Sequence, residues 1–172
     1  MSLHFLIDGY NAVKRLNFLK DIPILEQARA GLVEAVNARL LTGSRNNRAT
    51  IVFDGKSDFN FAPESFGPQI KIVFSREGQT ADDVIKTMVE VSRQAKQMQV
   101  VTDDKSIQSF TRGLGAKVMS VDGFFSKKGQ FSQARQGQKK SQKAGSDKAG
   151  LTYQQQEAIK RELLRRWSNK YN

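Results

Sequence analysis

Short β-rich runs alternate with longer stretches of helical period through residues 3–121, and few folds accommodate that alternation. The runs are LHFLI at 3–7, ATIVF at 49–53, IKIVF at 70–74, QVVT at 99–102 and AKVMSV at 116–121. Each is brief and apolar, as strands buried on both faces are. Between them, residues 23–41 space Leu25, Ala28, Leu32, Val36 and Leu40 as one helical face, and residues 81–95 repeat the pattern with Val84, Met88, Val91 and Ala95. A shorter helix is expected over 105–112, ended by Gly113. The order strand, helix, strand, loop, strand, helix, strand, helix, strand predicts an α/β domain with a mainly parallel five-stranded sheet. Gly113-Leu114-Gly115 ends a helix before a strand, so it reads as a C-cap and not as a dinucleotide-binding turn.

Open parallel sheets gather ligands at the carboxyl ends of their strands, where strand order reverses. Carboxylates occupy that edge here. Asp8 follows the first run, Asp54 the second, and Asp103 and Asp104 the fourth, while Asp82 and Asp83 open the helix after the third. Singly, each has a local explanation: Asp-Gly at 8–9 and 54–55 is a turn dipeptide, Thr80 with Asp83 reads as a capping box, and Asp82, Asp83 and Asp104 suit helix N-termini. Together they repel one another unless a cation neutralises them. Mg²⁺ or Mn²⁺ meets that need with oxygen ligands and retained waters, without histidine. The single histidine, His4, lies within a strand and reads as a packing residue.

The 172 residues contain no cysteine, which excludes disulfides, thiolate metal sites and a cysteine nucleophile and suits the reducing cytosol. No stretch approaches the length of a membrane span and no secretory leader is visible, so a cytoplasmic protein without a membrane role is expected. The net charge of +11 is concentrated beyond residue 125, where 12 of the 28 Lys+Arg meet only 3 of the 17 Asp+Glu. Residues 126–150 are rich in Lys, Gln, Ser and Gly and read as a flexible basic linker. Residues 151–172 place Ile159, Leu163, Trp167 and Tyr171 at steps of four among basic residues, which predicts a basic amphipathic helix. Such a tail suits a polyanion, RNA above all, with Lys127, Lys128, Arg135, Lys139, Lys140, Lys143, Arg161, Arg165 and Arg166 as candidate contacts. Docking of the terminal helix on the domain through Ile159, Leu163 and Trp167 is the competing expectation.

FLIDGYN, IVFDG, REGQTADDVI and VVTDD, in that order, resemble the YacP-like NYN family, a bacterial branch of the PIN-type nucleases. The resemblance covers residues 3–125. The resemblance implies a three-layer α/β/α domain over 1–125 and a metal-dependent endoribonuclease whose products carry a 5′-phosphate and a 3′-hydroxyl, with a role in mRNA decay or RNA processing. By the same resemblance, Asp8, Asn11, Asp82 and Asp103 are the catalytic residues. Asp8, Asp54, Asp82, Asp83, Asp103 and Asp104 are the candidate ligands of Mg²⁺ or Mn²⁺, with the inward-facing member of each Asp pair left open. Single-stranded mRNA is the expected substrate, alone or on a large RNA assembly such as the ribosome.

Two other readings compete. One is an RNA-binding adaptor of this fold without catalysis, which leaves the carboxylates unexplained because they repel RNA. The other is a metal-dependent phosphatase, although a haloacid-type enzyme needs Asp-x-Asp after the first strand and Tyr10 stands at that third position. The long stretch at 55–69 carries Phe59, Phe61 and Phe66, which suit either docking on the domain or stacking on unpaired bases.

Overall fold

Leu6 and Ile7 adjoin in sequence and belong to different apolar clusters, because successive residues of a strand face opposite sides of a sheet. The computed structural model describes residues 2–41, 46–55 and 68–126, with helical residues 154, 157–159 and 161. Five strands, β1 (His4–Asp8), β2 (Arg48–Phe53), β3 (Ile70–Phe74), β4 (Met98–Val101) and β5 (Lys117–Met119), form one parallel sheet in the order β3-β2-β1-β4-β5. The alternation continues across it. Ile51, Phe53 and Val101 share a cluster with Ile7, while Val52 and Val100 share one with Leu6.

Helices cover both faces, as parallel strands buried on two sides require. On the Ile7 face lie α1 (Gly9–Arg15), α2 (Asn17–Lys20), α3 (Leu25–Leu41) and α6 (Val121–Phe125); on the Leu6 face lie α4 (Ala81–Glu90) and α5 (Lys105–Gly113). The result is the α/β domain expected from the alternation, in the three-layer α/β/α arrangement that the resemblance implies. Ile159 from the C-terminal segment is partly buried against the Ile7 cluster, so at least this position of the predicted terminal helix touches the domain. The linker and the other residues of that helix's apolar stripe lie outside the described residues, as do Phe59, Phe61 and Phe66.

Three helices were not legible in the hydrophobic period: α1, α2 and α6 span 7, 4 and 5 residues, too few to show an amphipathic repeat. They form where their caps and the surrounding core support them. Asp8 caps α1 and Ser120 caps α6 by accepting the Gly123 N–H at 3.0 Å. Helix α4 is shorter than its apolar spacing suggests. It stops at Glu90, Val91 is 72% exposed, and Ala95–Gln97 forms a separate 3-10 turn. Ten helical residues rise about 15 Å, which matches a strand of four or five residues, so the chain has already reached the opposite edge when α4 ends.

His4 is held within the sheet, its Nε2 2.8 Å from the Thr50 hydroxyl across β1 and β2. Burial, helped by the positive charges of Arg48 and Lys71, lowers the pKa of its ring, as suits a structural imidazole. No helix among the described residues is long and apolar enough to cross a membrane.

Candidate functional site

Strand order reverses at β1. The chain runs outward through β2 and β3, then returns to place β4 on the other side of β1. The crevice at the carboxyl ends of β1 and β4 is therefore the expected ligand position for a sheet of this topology.

Asp8 ends β1 at that crevice, and its carboxylate is engaged on both oxygens. Oδ1 accepts the Asn11 N–H at 3.0 Å, capping α1, and Oδ2 accepts the Thr102 hydroxyl at 3.1 Å from the end of β4. A second link crosses the same gap: Asn11 Oδ1 accepts the Asp103 N–H at 2.9 Å. Thr102 is itself fixed, since its hydroxyl accepts the Asp104 N–H at 3.1 Å and its carbonyl accepts Gln108 Nε2 at 2.7 Å. Burial pushes the Asp8 carboxyl above its ordinary pKa, with the negative charges of Asp82 and Asp54 adding to the rise, while the bonds from Asn11 and Thr102 oppose it.

Asp54 reaches the edge from β2. Its Oδ1 accepts the Ala81 N–H at the start of α4, which ties the ends of β2 and β3 together through the helix that follows. Asp82, one residue on, is also raised in pKa, by burial first and then by the charges of Asp104, Asp54 and Asp83, with Lys86 pulling the other way. Asp8, Asp54, Asp82 and Asp104 thus form one electrostatically connected group drawn from three strand ends and a helix start.

The members of each Asp pair differ. Asp83 completes the capping box anticipated for α4: its Oδ2 accepts the Thr80 N–H at 3.0 Å and the Thr80 hydroxyl at 2.8 Å, and the Asp83 N–H returns a bond to Thr80 Oγ1 at 3.2 Å. Those bonds from Thr80 hold its carboxyl below the ordinary pKa. Asp82 is the member that faces the other acids. Asp104 caps α5, with Oδ1 accepting from the Ser106 and Ile107 N–H groups at 2.8 and 3.0 Å. Asp103 turns toward α1, where its Oδ2 lies 3.6 Å from Arg15 Nε; Arg15 also donates to Asp122 Oδ2 at 3.1 and 3.2 Å.

Among the described residues, no three carboxylates stand close enough to enclose a metal ion by themselves. The donor set nevertheless fits a hard divalent cation. It is all oxygen, burial and then the neighbouring carboxylates raise the pKa of Asp8 and Asp82, and Asp103 Oδ2 is buried with no hydrogen-bond donor. Mg²⁺ is commonly held by one or two carboxylates plus waters and substrate phosphates, so full enclosure by protein is not required.

Arg161 is exposed, as a solvent-facing cation on the terminal segment would be; the other candidate RNA contacts lie outside the described residues. Thr102, Arg15 and Arg29 are parts of this edge that sequence reasoning did not single out. Thr102 reads there as an ordinary β-branched strand residue. Arg29 carried a signal: it stands four residues from both Leu25 and Val33, on the apolar side of its helix.

A model of the YacP-like NYN domain matches residues 5–170, so the likeness extends into the tail, past the residues 3–125 expected from the motifs. Among solved structures, the chain is similar to the crystal structure of Rae1 (YacP) from Bacillus subtilis, at 22% identity and a TM-score of 0.58, covering 98% of this chain and 81% of that one. A tryptophan-to-leucine mutant of the same protein is similar at 23% identity and a TM-score of 0.57, covering 95% and 80%. At these identities the likeness establishes the fold. No curated protein matches the chain.

Proposed function

The chain belongs to the YacP-like NYN domain family, within a nuclease superfamily generally dependent on divalent metal, and from that premise we propose that it is an Mg²⁺- or Mn²⁺-dependent endoribonuclease. The observation that carries this reading is the connected group Asp8, Asp54, Asp82 and Asp104 at the reversal of strand order, to which Asp103 is joined through its N–H bond to Asn11. Asp8, Asp54, Asp82 and Asp103 would hold the cation, with Asp104 close enough to contribute its field. Asp83 serves the helix cap. When bound, such an ion lowers the pKa of a water and stabilises charge on the phosphate oxygens.

The chain's own residues supply orientation. Thr102 and the Asn11 N–H fix both oxygens of Asp8, so this carboxylate presents its remaining lone pairs in one direction. Asn11 holds the backbone at Asp103 and thereby the entry to α5. The carboxylate edge is a poor surface for RNA without a cation. Labelled single-stranded RNA should therefore be cut in Mn²⁺ and left intact in EDTA, with cutting restored by excess Mn²⁺. Cleavage that persists in EDTA rejects metal dependence, and RNA retained but never cut in either condition favours the adaptor reading.

The basic tail is proposed to add affinity without chemistry, with Ile159 anchoring the terminal segment on the domain. Removing residues 126–172 deletes 12 Lys+Arg and no acid of the site. Cutting at saturating RNA should survive. If about four tail cations meet phosphates of a single strand, the slope of log affinity against log salt becomes shallower by roughly 3 units. The melting temperature should also fall, because the core residues beneath Ile159 lose their cover. An unchanged salt slope rejects the RNA role of the tail and leaves docking as its function.

A further inference from the structure

We propose that Arg29 is a positioning residue for Asp54, clamping the Asp54–Gly55 peptide from behind the acid edge; the inference rests on the metal-site reading above. Arg29 lies in the first half of α3 and is only 6% exposed. Its guanidinium carbon sits 5.5 Å from the ring centroids of Tyr10 and Phe53 and 5.4 Å from that of Phe74. The three rings pack on one another, Phe53 stacked on Phe74 and edge-on to Tyr10. Ion pairs among the described residues join Arg15 to Asp103 and Asp122, and none involves Arg29, whose Nε is buried without a hydrogen-bond partner.

A buried cation without an ion-pair partner is costly, and an aromatic box offsets the cost only in part. A position needed for packing alone is served as well by methionine. What the guanidinium adds is its Nη2, which donates to the Tyr10 hydroxyl and, at 3.4 Å, to the Asp54 carbonyl. The other side of that same peptide is held too, since the Gly55 N–H donates to Ser75 Oγ at 3.1 Å. Gly55 has φ +89°, a conformation glycine enters readily, so the peptide plane is free to turn unless both its polar atoms are secured. With the plane fixed, the Asp54 side chain leaves the backbone in one direction and meets the Ala81 N–H. Arg29 thus acts on the carboxylate through the backbone.

The test uses the full chain carrying Arg29→Met or Arg29→Lys, with Ser75→Ala to loosen the other side of the peptide. Each variant is melted without metal, titrated calorimetrically with Mn²⁺ below its melting temperature, and followed by amide exchange at Gly55 and Ala81. All three should fold, bind Mn²⁺ about tenfold more weakly, as loss of a partner that orients a ligand does, and exchange the Ala81 amide faster. If Arg29→Met does not fold, Arg29→Lys, which keeps the charge but not the fork, carries the comparison. Mn²⁺ isotherms of folded Arg29 variants that overlay wild type overturn the proposal. Wild-type protein that binds no Mn²⁺ overturns both this proposal and the metal reading. Wild type that binds Mn²⁺ but cuts no RNA removes only the nuclease reading, and the variants still report on the clamp.

Discussion

Asp8→Asn is expected to abolish RNA cleavage while melting at or above the wild-type temperature at pH 7 in EDTA. The loss of activity should exceed about 100-fold, since even partners that merely orient a metal ligand are worth about 10–100-fold. The fold should tolerate the change. Asparagine keeps an acceptor for the Asn11 N–H, and its amide can donate to Thr102 Oγ1 in place of the bond that the carboxylate accepted. The stability gain follows from the raised pKa. A carboxylate whose folded-state pKa lies above its unfolded value binds a proton more readily when folded, so stability falls as pH rises from the unfolded pKa to the folded one. Above the folded pKa the full penalty of a buried charge persists, and below the unfolded value of about 4 it is absent. The melting-temperature advantage of Asp8→Asn should therefore be greatest near neutrality and shrink as pH is lowered through the carboxylate range. A variant that cuts RNA at the wild-type rate removes Asp8 from the site. A variant less stable than wild type across that whole range shows that the buried charge is not a net cost.

Gly9→Ala is expected to lower the melting temperature by roughly 6–12 °C, on a cost of about 3 kcal/mol for overpacking a core of this size. A Cβ at residue 9 would stand 2.3 and 2.4 Å from two carbons of the Phe53 ring and 2.8 Å from the Val52 carbonyl oxygen. Neither neighbour can yield cheaply. Phe53 is fully buried between Tyr10 and Phe74 against Arg29, and Val52 O belongs to the sheet backbone. The glycine's role is close approach and not an unusual dihedral, because helix α1 must begin beside β2 for Asp8 to reach the crevice. Circular dichroism melts of the two proteins decide it: a difference within about 2 °C shows that β2 and α1 can separate without cost. A displaced α1 would carry Asn11 away from Asp103, so this variant should also need more Mn²⁺ for cleavage.

How much of this was legible depends on whether a residue's role is set by its neighbours in the chain. Strand β3 begins and ends where its apolar run does, at Ile70 and Phe74, and the Thr80–Asp83 box is present as read, because a capping box closes within four residues. Helix α5 likewise ends at Gly113, with Gly115 at φ +87° after it. Adjacent acids were not separable in the same way. Asp82 and Asp83 project about 100° apart on a helix, and which of them meets Asp8 depends on the rotation that seats Val84, Ile85 and Val89 on the sheet. Asp103 and Asp104 divide for a similar reason, the first turned toward Arg15 on α1 and the second spent partly on capping α5.

Hydrophobic period and strand-end acids thus determined the α/β class, the parallel sheet and the edge where chemistry is proposed, since burial on two faces and chain direction leave little alternative. Only the tertiary structure decided which atoms meet there. The Thr102 bond to Asp8 spans 94 residues, the Asn11 bond to Asp103 spans 92, and Arg29 meets Asp54 across 25. Such contacts are products of strand order and helix docking, which set the ends of β2 and β4 on either side of β1 and bring α3 against the end of β2, and no local pattern encodes those neighbours.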